Sequence, residues 1–352
     1  MKKKYKTAII GHGIVGKRRE FFLNKNRQFK IMALCDKNYS NNLKKKKIIY
    51  FNNYRSLYKK FPDLDCVFIC ISNDMAADVT YFFLSRGVNV FCEKPPSINL
   101  QQLKKIKTIK NKNKNLRLMY GFNHRFHKSV IKAKKLIETK KYGSVLNVKA
   151  TYGKSKFINF NQNDWRTKRI IAGGGILLDQ GIHIVDLLLY FFGTFEEVKS
   201  LVQNNCWNFD VEDNCFALLK QKRKNIIAFI HSSASLWRHD FNIEINFKKG
   251  TVILSGILSS TKSYGNERLI ILKPQKSRVY TEPKKKIYNF TIDNSWKNEI
   301  FIFGQILNRK IKEQNSIDDA IDVMKVIEKI YSNDKSWVTK VKKYNEKSIQ
   351  KK

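Results

Sequence analysis

Acidic residues are the conspicuous shortage in this chain: 29 Asp and Glu stand against 69 Lys and Arg in 352 residues, a formal net charge of +40. Such a deficit invites nucleic acid as a partner, because basic stripes bind phosphate. The lysines, however, run along the whole chain among abundant Asn and Ile, as AT-rich codons would place them, and no recognised nucleic-acid motif accompanies them. Runs at 44–47 and 104–114 therefore read as solvated helix or loop faces, and no specific nucleic-acid partner is expected. The diffuse field instead favours anionic small molecules such as phosphorylated or nucleotide-linked sugars.

Cysteine is also scarce. Cys35, Cys66, Cys70, Cys92, Cys206 and Cys215 form no C-x-x-C pair and mostly end apolar runs. They read as free thiols in a reducing cytoplasm, with no disulfide framework and no metal pattern. No run of about 18 apolar residues is seen, which excludes an ordinary membrane-spanning helix and a membrane partner. The greasiest stretch, 187–192, is far too short. Lys2-Lys3-Lys4 before 5–10 imitates a signal peptide, but the apolar run flows directly into a glycine turn and reads as a first strand. No internal repeat is present.

What is there suits two domains: the length exceeds one typical domain, and 42% apolar residues supply the cores. Over 1–122, short apolar runs at 5–10, 31–35, 66–71, 89–92 and 117–120 alternate with helical stretches at 14–25, 76–86 and 98–112. Nearly continuous apolar strands separated by helices predict a doubly wound parallel sheet, an α/β Rossmann domain. From 123 to 340 the pattern changes. A helix at 128–140 and a strand at 144–152 precede a glycine-rich helix; strands then crowd at 198–204, 214–220, 226–232, 241–247 and 251–255. Helices at 295–308 and 317–332 follow. This predicts an α+β domain on an open, mostly antiparallel sheet. The Lys/Asn-rich end at 341–352 is expected to fray.

Three segments carry chemistry. Gly11-His12-Gly13-Ile14-Val15-Gly16 lies between strand and helix, where glycines admit a pyrophosphate to the backbone and the helix N-terminus meets its charge. Asp36 ends the next strand, 20 residues after Gly16, where an acid bonds a ribose hydroxyl. It would repel a 2′-phosphate, so NAD is expected, with NADP left open by the adjacent Lys37. His12 reads as a tolerated solvent-facing side chain. Glu93-Lys94-Pro95-Pro96 follows a strand, and proline keeps Lys94 extended at the carboxyl edge of the sheet, with Glu93 beside it. Gly173-Gly174-Gly175 reads as a side-chain-free approach for a ligand. It leads to Asp179, His183 and Asp186, which one regular helix would place on a single stripe.

Together with Gly121-Phe122-Asn123-His124-Arg125-Phe126 and Cys92, these segments resemble, in order and across nearly the whole chain, the signatures of the glucose-fructose oxidoreductase / inositol dehydrogenase / rhizopine catabolism (Gfo/Idh/MocA) family. The resemblance implies Lys94 and His183 as catalytic residues assisted by Asp179, and cofactor contacts from Gly11, Gly13, Ile14, Val15, Gly16, Asp36, Asn73, Glu93, Lys94 and Asn123. It implies substrate contacts from Lys94, Asn123, Tyr152, Trp165, Arg166, Asp179 and His183. One departure matters: many members carry T-P-N-x-x-H where this chain has Ile71-Ser72-Asn73-Asp74-Met75-Ala76, so only the asparagine survives. The implied activity is NAD(P)-dependent hydride transfer at a secondary hydroxyl of a sugar, nucleotide-sugar or cyclitol, possible in surface-glycan biosynthesis. The protein is expected to be cytoplasmic and a homodimer or homotetramer through the C-terminal sheet. Rival readings are an NAD-dependent glycosidase with transient redox and a non-catalytic NAD/sugar sensor. The roles of Lys94 and His183 could be exchanged on this reading.

Overall fold

The computed structural model describes residues 4–40, 43–45, 48–156, 164–259, 261–275 and 282–349, and Lys46 and Lys47 of the first lysine run lie outside them. The chain divides into two compact units, Met1–Asn123 with Ser295–Ile321, and His124–Asn294 with Asp322–Lys352.

The strands of the first unit are β1 (Tyr5–Ile10), β2 (Phe29–Cys35), β3 (Leu43–Lys45), β4 (Ile48–Phe51), β5 (Cys66–Ile69), β6 (Asn89–Cys92) and β7 (Leu118–Tyr120). They form one sheet in the order β3-β4-β2-β1-β5-β6-β7. Every pair is parallel except β3 with β4 at the edge. The run Cys-Val-Phe-Ile of β5 is wholly buried, as expected for a strand covered on both faces. Helices α1 (Ile14–Asn24), α2 (Tyr54–Lys60), α3 (Asn73–Leu84) and α4 (Leu100–Lys112) connect the strands. Asn99 caps α4 by accepting from the Gln102 amide at 3.1 Å, while Leu103 and Ile106 turn inward.

Two differences from the sequence reading stand out here. Strands β3 and β4 were not anticipated, since the lysines at 44 and 45 break the apolar pattern that marks a strand, and β3 is a short edge strand. The segment Ser295–Ile321, assigned from sequence to the second domain, belongs to the first unit. The reason is apolar: Phe303 lies in its helix and packs against Phe29, Phe68 and Phe91 with ring centroids 6.3, 5.5 and 5.5 Å away.

The second unit carries α5 (Lys128–Glu138), β8 (Val145–Ser155), α6 (Arg169–Ala172), α7 (Ile182–Phe192), β9 (Glu197–Gln203), β10 (Asn214–Gln221), β11 (Ile226–Leu236), β12 (Asp240–Phe247), β13 (Gly250–Ser255), β14 (Glu267–Lys273) and β15 (Lys284–Phe290). Helix α8 (Ser295–Leu307) returns to the first unit, α9 (Ile317–Asn333) runs from the first into the second, and α10 (Lys335–Ile349) ends the described chain. Helix thus extends through Ile349, where fraying was expected.

The eight strands form one sheet, β15-β14-β13-β12-β8-β11-β10-β9, antiparallel except where β8 meets β11. Alternation is clean in β12, whose every second residue is buried. Strands β14 and β15 were missed from sequence; β15, with its three leading lysines, is an edge strand of the kind that charge protects from pairing. The outer face is open near the β9 end. Leu201, Phe216 and His231 lie opposite one another across three strands, as do Leu218 and Phe229, and Leu201 and Leu218 are 66% and 49% exposed. The helical run Arg169–Phe192 is long and apolar enough by composition to cross a membrane, contrary to the sequence reading, but 78% of its most apolar window is buried inside the protein. It is the core helix of this unit, broken at the glycines.

Candidate active site

The carboxyl ends of parallel strands share one edge of a sheet, and in the first unit that edge gathers the expected cofactor residues. Gly11 leaves β1 with φ +88°, and a Cβ there would overlap the Cys70 carbonyl; a Cβ on Gly16 would overlap the Gly11 carbonyl. Gly13 is different. It is the N-cap of α1, its missing Cβ faces open space, and the next side chain, Ile14, is 83% exposed. Backbone amides of a helix N-terminus beside an open glycine fit a pyrophosphate. Val15 follows in the first turn. Asp36, directly after β2, accepts from the His12 amide at 2.8 Å and from the Asn38 amide at 3.1 Å, which fixes the carboxylate beside the glycine turn. The NAD-type donor and acceptor set is therefore in place around this turn.

His12 corrects the sequence reading. It is buried, its Nδ1 bonds the Tyr39 hydroxyl, and its Nε2 lies 2.9 Å from Glu20 Oε2. The imidazole ties the glycine turn to α1 and to the segment after β2 rather than facing solvent.

Asn73 opens α3 just beyond β5 and is buried. Glu93 and Lys94 follow β6, and the Lys94–Pro95 peptide is cis. Asn123 follows β7 and donates to Ser295 Oγ at 3.2 Å. The device that holds Glu93 was invisible in the sequence. Arg19 of α1 is fully buried, donates to Glu93 Oε1 and to Glu299 Oε2 at 2.6 Å each, and lies 4.3 Å from the ring centres of Phe91 and Trp296. Burial opposes its charge, but Glu299 and Glu93 outweigh that and keep the guanidinium protonated. An ideal Cβ on Gly121 would come 2.7 Å from Glu93 Oε2, so a larger residue there would displace the carboxylate from its present seat.

The second unit holds the other expected residues. Leu177–Gly181 forms a π-helical turn ahead of α7, so Asp179, His183 and Asp186 do not share the regular stripe expected of them. Asp186 is fully buried and held by Arg125, whose Nε lies 3.0 Å from both carboxylate oxygens and whose Nη2 lies 2.6 Å from Oδ1. Asp179 is half-buried and accepts from Gln180 Nε2 at 3.3 Å. The His183 ring stacks on His124, centroids 3.7 Å apart and planes 14° from parallel. His124 Nε2 in turn lies 3.2 Å from the Tyr152 hydroxyl. Burial, then Tyr264 and Asp179, push the Tyr152 phenol well above its ordinary value, so it remains a proton-bearing donor.

The glycine triplet also corrects the sequence reading. Side chains on Gly174 and Gly175 would overlap the Tyr331 hydroxyl and the Glu212 backbone. Close packing, not ligand access, requires them. Glu212 is buried; it accepts from the Gly175 and Leu177 amides at 2.8 and 3.0 Å and from the Tyr331 hydroxyl at 2.7 Å, capping the approach to the π turn. Burial raises its carboxyl despite the opposing pull of Arg169 and these bonds.

Asp164 accepts from the Arg166 amide at 2.9 Å, and the Arg166 guanidinium lies over Trp165 at 4.5 Å. His124, Tyr264, Glu212 and Arg19 were not singled out from sequence. His124 stood inside a quoted motif; the other three depend on partners distant in the chain.

Comparison with known proteins agrees with this geometry. Residues 5–122 match the model of an oxidoreductase family with an NAD-binding Rossmann fold, and residues 130–253 match the GFO/IDH/MocA C-terminal domain. Levoglucosan dehydrogenase of Pseudarthrobacter phenanthrenivorans is 31% identical over 40% of this chain and 36% of its own. Myo-inositol 2-dehydrogenase of Thermotoga maritima is 26% identical over 57% of this chain and 59% of its own. The chain therefore spans less than two thirds of the length of these relatives. Among solved structures, levoglucosan dehydrogenase in complex with NADH and levoglucosan superposes with a TM-score of 0.81 at 18% identity, covering 94% of this chain and 97% of that one. Aldose-aldose oxidoreductase from Caulobacter crescentus gives 0.78 at 20% identity, with coverage of 94% and 97%. With two family models matching more than half of its residues in the expected order, the chain belongs to the Gfo/Idh/MocA family, its first unit being the NAD-binding Rossmann domain and its second the family's C-terminal domain.

Proposed function

We propose that the protein is an NAD-dependent oxidoreductase acting on a secondary hydroxyl of a sugar, nucleotide-sugar or cyclitol. The observation that carries this reading is the His183 imidazole held by the stack on His124, beside a buried Tyr152 phenol and the half-buried Asp179. A positioned imidazole suits removal of a hydroxyl proton near neutral pH. When bound, NAD supplies the hydride acceptor. Tyr152 donates to a substrate oxygen, and Asp179 stabilises the imidazolium once His183 has taken the proton. On the family resemblance alone, Lys94, the residue after the Arg19-held Glu93, is assigned the role of cationic donor for charge that develops on the reacting oxygen. Trp165, Arg166 and Asn123 are assigned to substrate binding on the family resemblance. Relatives named as levoglucosan, myo-inositol and D-glucoside dehydrogenases support the substrate class. Surface-glycan biosynthesis in the cytoplasm is the setting we propose.

The test is turnover of a sugar and cyclitol panel followed by nicotinamide absorbance, with Lys94→Ala and His183→Ala. Both variants are expected to lose turnover and to keep NAD binding. Unchanged rates in both would reject the assignment, and a product without a carbonyl would favour a glycosidase. The open outer face of the second sheet, with Leu201, Phe216 and Leu218, is proposed as the homo-oligomer contact. Sedimentation of Phe216→Glu should give a smaller species than the wild type; equal masses would reject that contact.

A further inference from the structure

Resting on the reading just given, in which His183 takes the proton and Asp179 stabilises the imidazolium, we infer that Glu212 is a positioning residue that holds Asp179 in register with His183. The first four amides of a helix have no partner inside it, and a Ser, Thr, Asp or Asn at its start normally takes one of them. Here the start is Gly173-Gly174-Gly175, which has no side chain to offer. Glu212, distant in the chain and fully buried, takes three instead. The Gly175 amide donates to its Oε2 at 2.8 Å, the Leu177 amide to its Oε1 at 3.0 Å, and the Ile176 amide to its backbone carbonyl at 3.0 Å. A helix N-terminus favours a negative charge, and the Tyr331 hydroxyl adds a further donor to Oε1 at 2.7 Å. The anchor is itself fixed to the sheet. Asp213, the next residue, donates its amide to the Gln203 carbonyl of β9 at 3.0 Å and accepts from the Ala234 amide of β11 at 2.7 Å.

The π turn is what gives this anchor a consequence for chemistry. Leu177–Gly181 carries Asp179 and closes with a wider hydrogen-bonded turn than an α-helix, a rare geometry found mostly as single turns. Its far end is fixed separately. A Cβ on Gly181 would come 2.7 Å from Ser232 Oγ, and further along α7 the Arg125 guanidinium holds Asp186. With both ends fixed, the extra residue stays between them. Released at the Glu212 end, the turn can close as ordinary α-helix. Asp179 then rotates relative to α7 by about 100°, one residue of a helix with 3.6 residues per turn. His183 keeps its place through the stack on His124. Asp179 does not: it leaves the space where it acts on the Tyr152 and Tyr264 hydroxyls, beside the Tyr152 ring that lies 6.2 Å from the His183 ring. The imidazolium thereby loses its carboxylate while the helix and its core face remain.

The test compares the full chain with Glu212→Gln and Tyr331→Phe. Asp334→Asn is the control: it weakens the same unit elsewhere, by altering a carboxylate that accepts from the Val202 and Trp337 amides at 2.7 and 3.0 Å. Glutamine fills the space of Glu212, but its NH2 group cannot accept from an amide. With the sugar or cyclitol that the wild type oxidises fastest, Glu212→Gln should lower kcat by about 10- to 100-fold and leave KM within about threefold. The acid limb of kcat/KM should move to lower pH by about half to one pH unit, because the imidazolium has lost a carboxylate. Tyr331→Phe keeps both side-chain amide contacts and should lower kcat by about 2- to 10-fold, with the limb moving the same way. Asp334→Asn should leave the limb in place, since lost stability removes active molecules without changing those that remain. The His183 imidazole is also titrated by NMR with labelled histidine, its signal being the one absent from His183→Ala, and should follow the limb. An imidazole that titrates alike in wild type and Glu212→Gln, or that shifts equally in Asp334→Asn, would overturn the proposal; Tyr331→Phe decides on the same terms if Glu212→Gln does not fold. Because that titration needs no substrate, its failure is separable from a failure of the dehydrogenase reading, which shows as no nicotinamide signal with any sugar.

Discussion

Replacing Arg19 by Met is the sharpest test of how the first unit is held together. The substitution keeps a long apolar stem against Phe91 and Trp296 and removes the guanidinium that serves two carboxylates. Glu299 is 0% and Glu93 13% exposed, so water cannot replace the lost contacts at the first and only partly at the second. Breaking one side of a buried ion pair costs about 3–5 kcal/mol, mostly because the partner is left charged and unsolvated. With roughly 2–4 °C per kcal/mol for a unit of this size, the melting temperature of the first unit should fall by about 6–20 °C. The assay is urea and thermal unfolding followed by the circular dichroism of the chain and, separately, by NADH binding as a report on the first unit alone. A second substitution, Glu299→Gln, should restore at least half of the loss, since it removes the fully buried uncompensated charge. A single variant within about 1 kcal/mol of wild type would refute the argument that this guanidinium neutralises the pair.

Other outcomes follow from separate parts of the molecule. Gly175→Ala puts a methyl into the Glu212 backbone, which has no flexible end to yield, and should destabilise the second unit by about 1–3 kcal/mol in urea titration. Glu267 is buried and accepts from His127 and from the Ser129 amide at 2.8 Å each; although burial raises its pKa, these bonds prevail and hold the carboxyl below its ordinary 4.5. A depressed carboxyl contributes stability that is fully present above 4.5 and lost as pH falls through the folded value. Glu267→Gln should therefore cost about 1–3 kcal/mol at neutral pH and converge on wild type in acid; a constant difference across pH would contradict the assignment. Asp36→Ala should reduce the preference for NAD over NADP by about 10- to 100-fold in kcat/KM, and an unaltered ratio would remove Asp36 from ribose recognition.

How much of this was legible beforehand depended on the range of the interactions concerned. The parallel sheet of the first unit could be read because each strand is a short apolar run and each connection a local helix, and because Gly11, Gly13, Gly16 and Asp36 have fixed places relative to them. Lys94 could be placed for the same reason, as a residue just past β6, whereas Asn123 was named only through the family resemblance. Strand β15 escaped because an edge strand is solvated, so lysine there costs nothing and erases the apolar signal. His12 and the glycine triplet were misread because their neighbours, Tyr39, Glu20, Glu212 and Tyr331, cannot be inferred from spacing.

By itself the order of residues determined what is local: strand and helix alternation, the cofactor turn with its acid, and the placement of the candidate donors on particular elements. Tertiary structure alone decided what depends on residues far apart in the chain. Arg19 reaches across 280 positions to Glu299, Tyr331 and Glu212 meet over 119, and Phe303 draws its helix back to the first sheet. The physical reason is that a buried charge or a missing Cβ takes its meaning from the atoms it touches, and those contacts exist only once the chain has closed on itself.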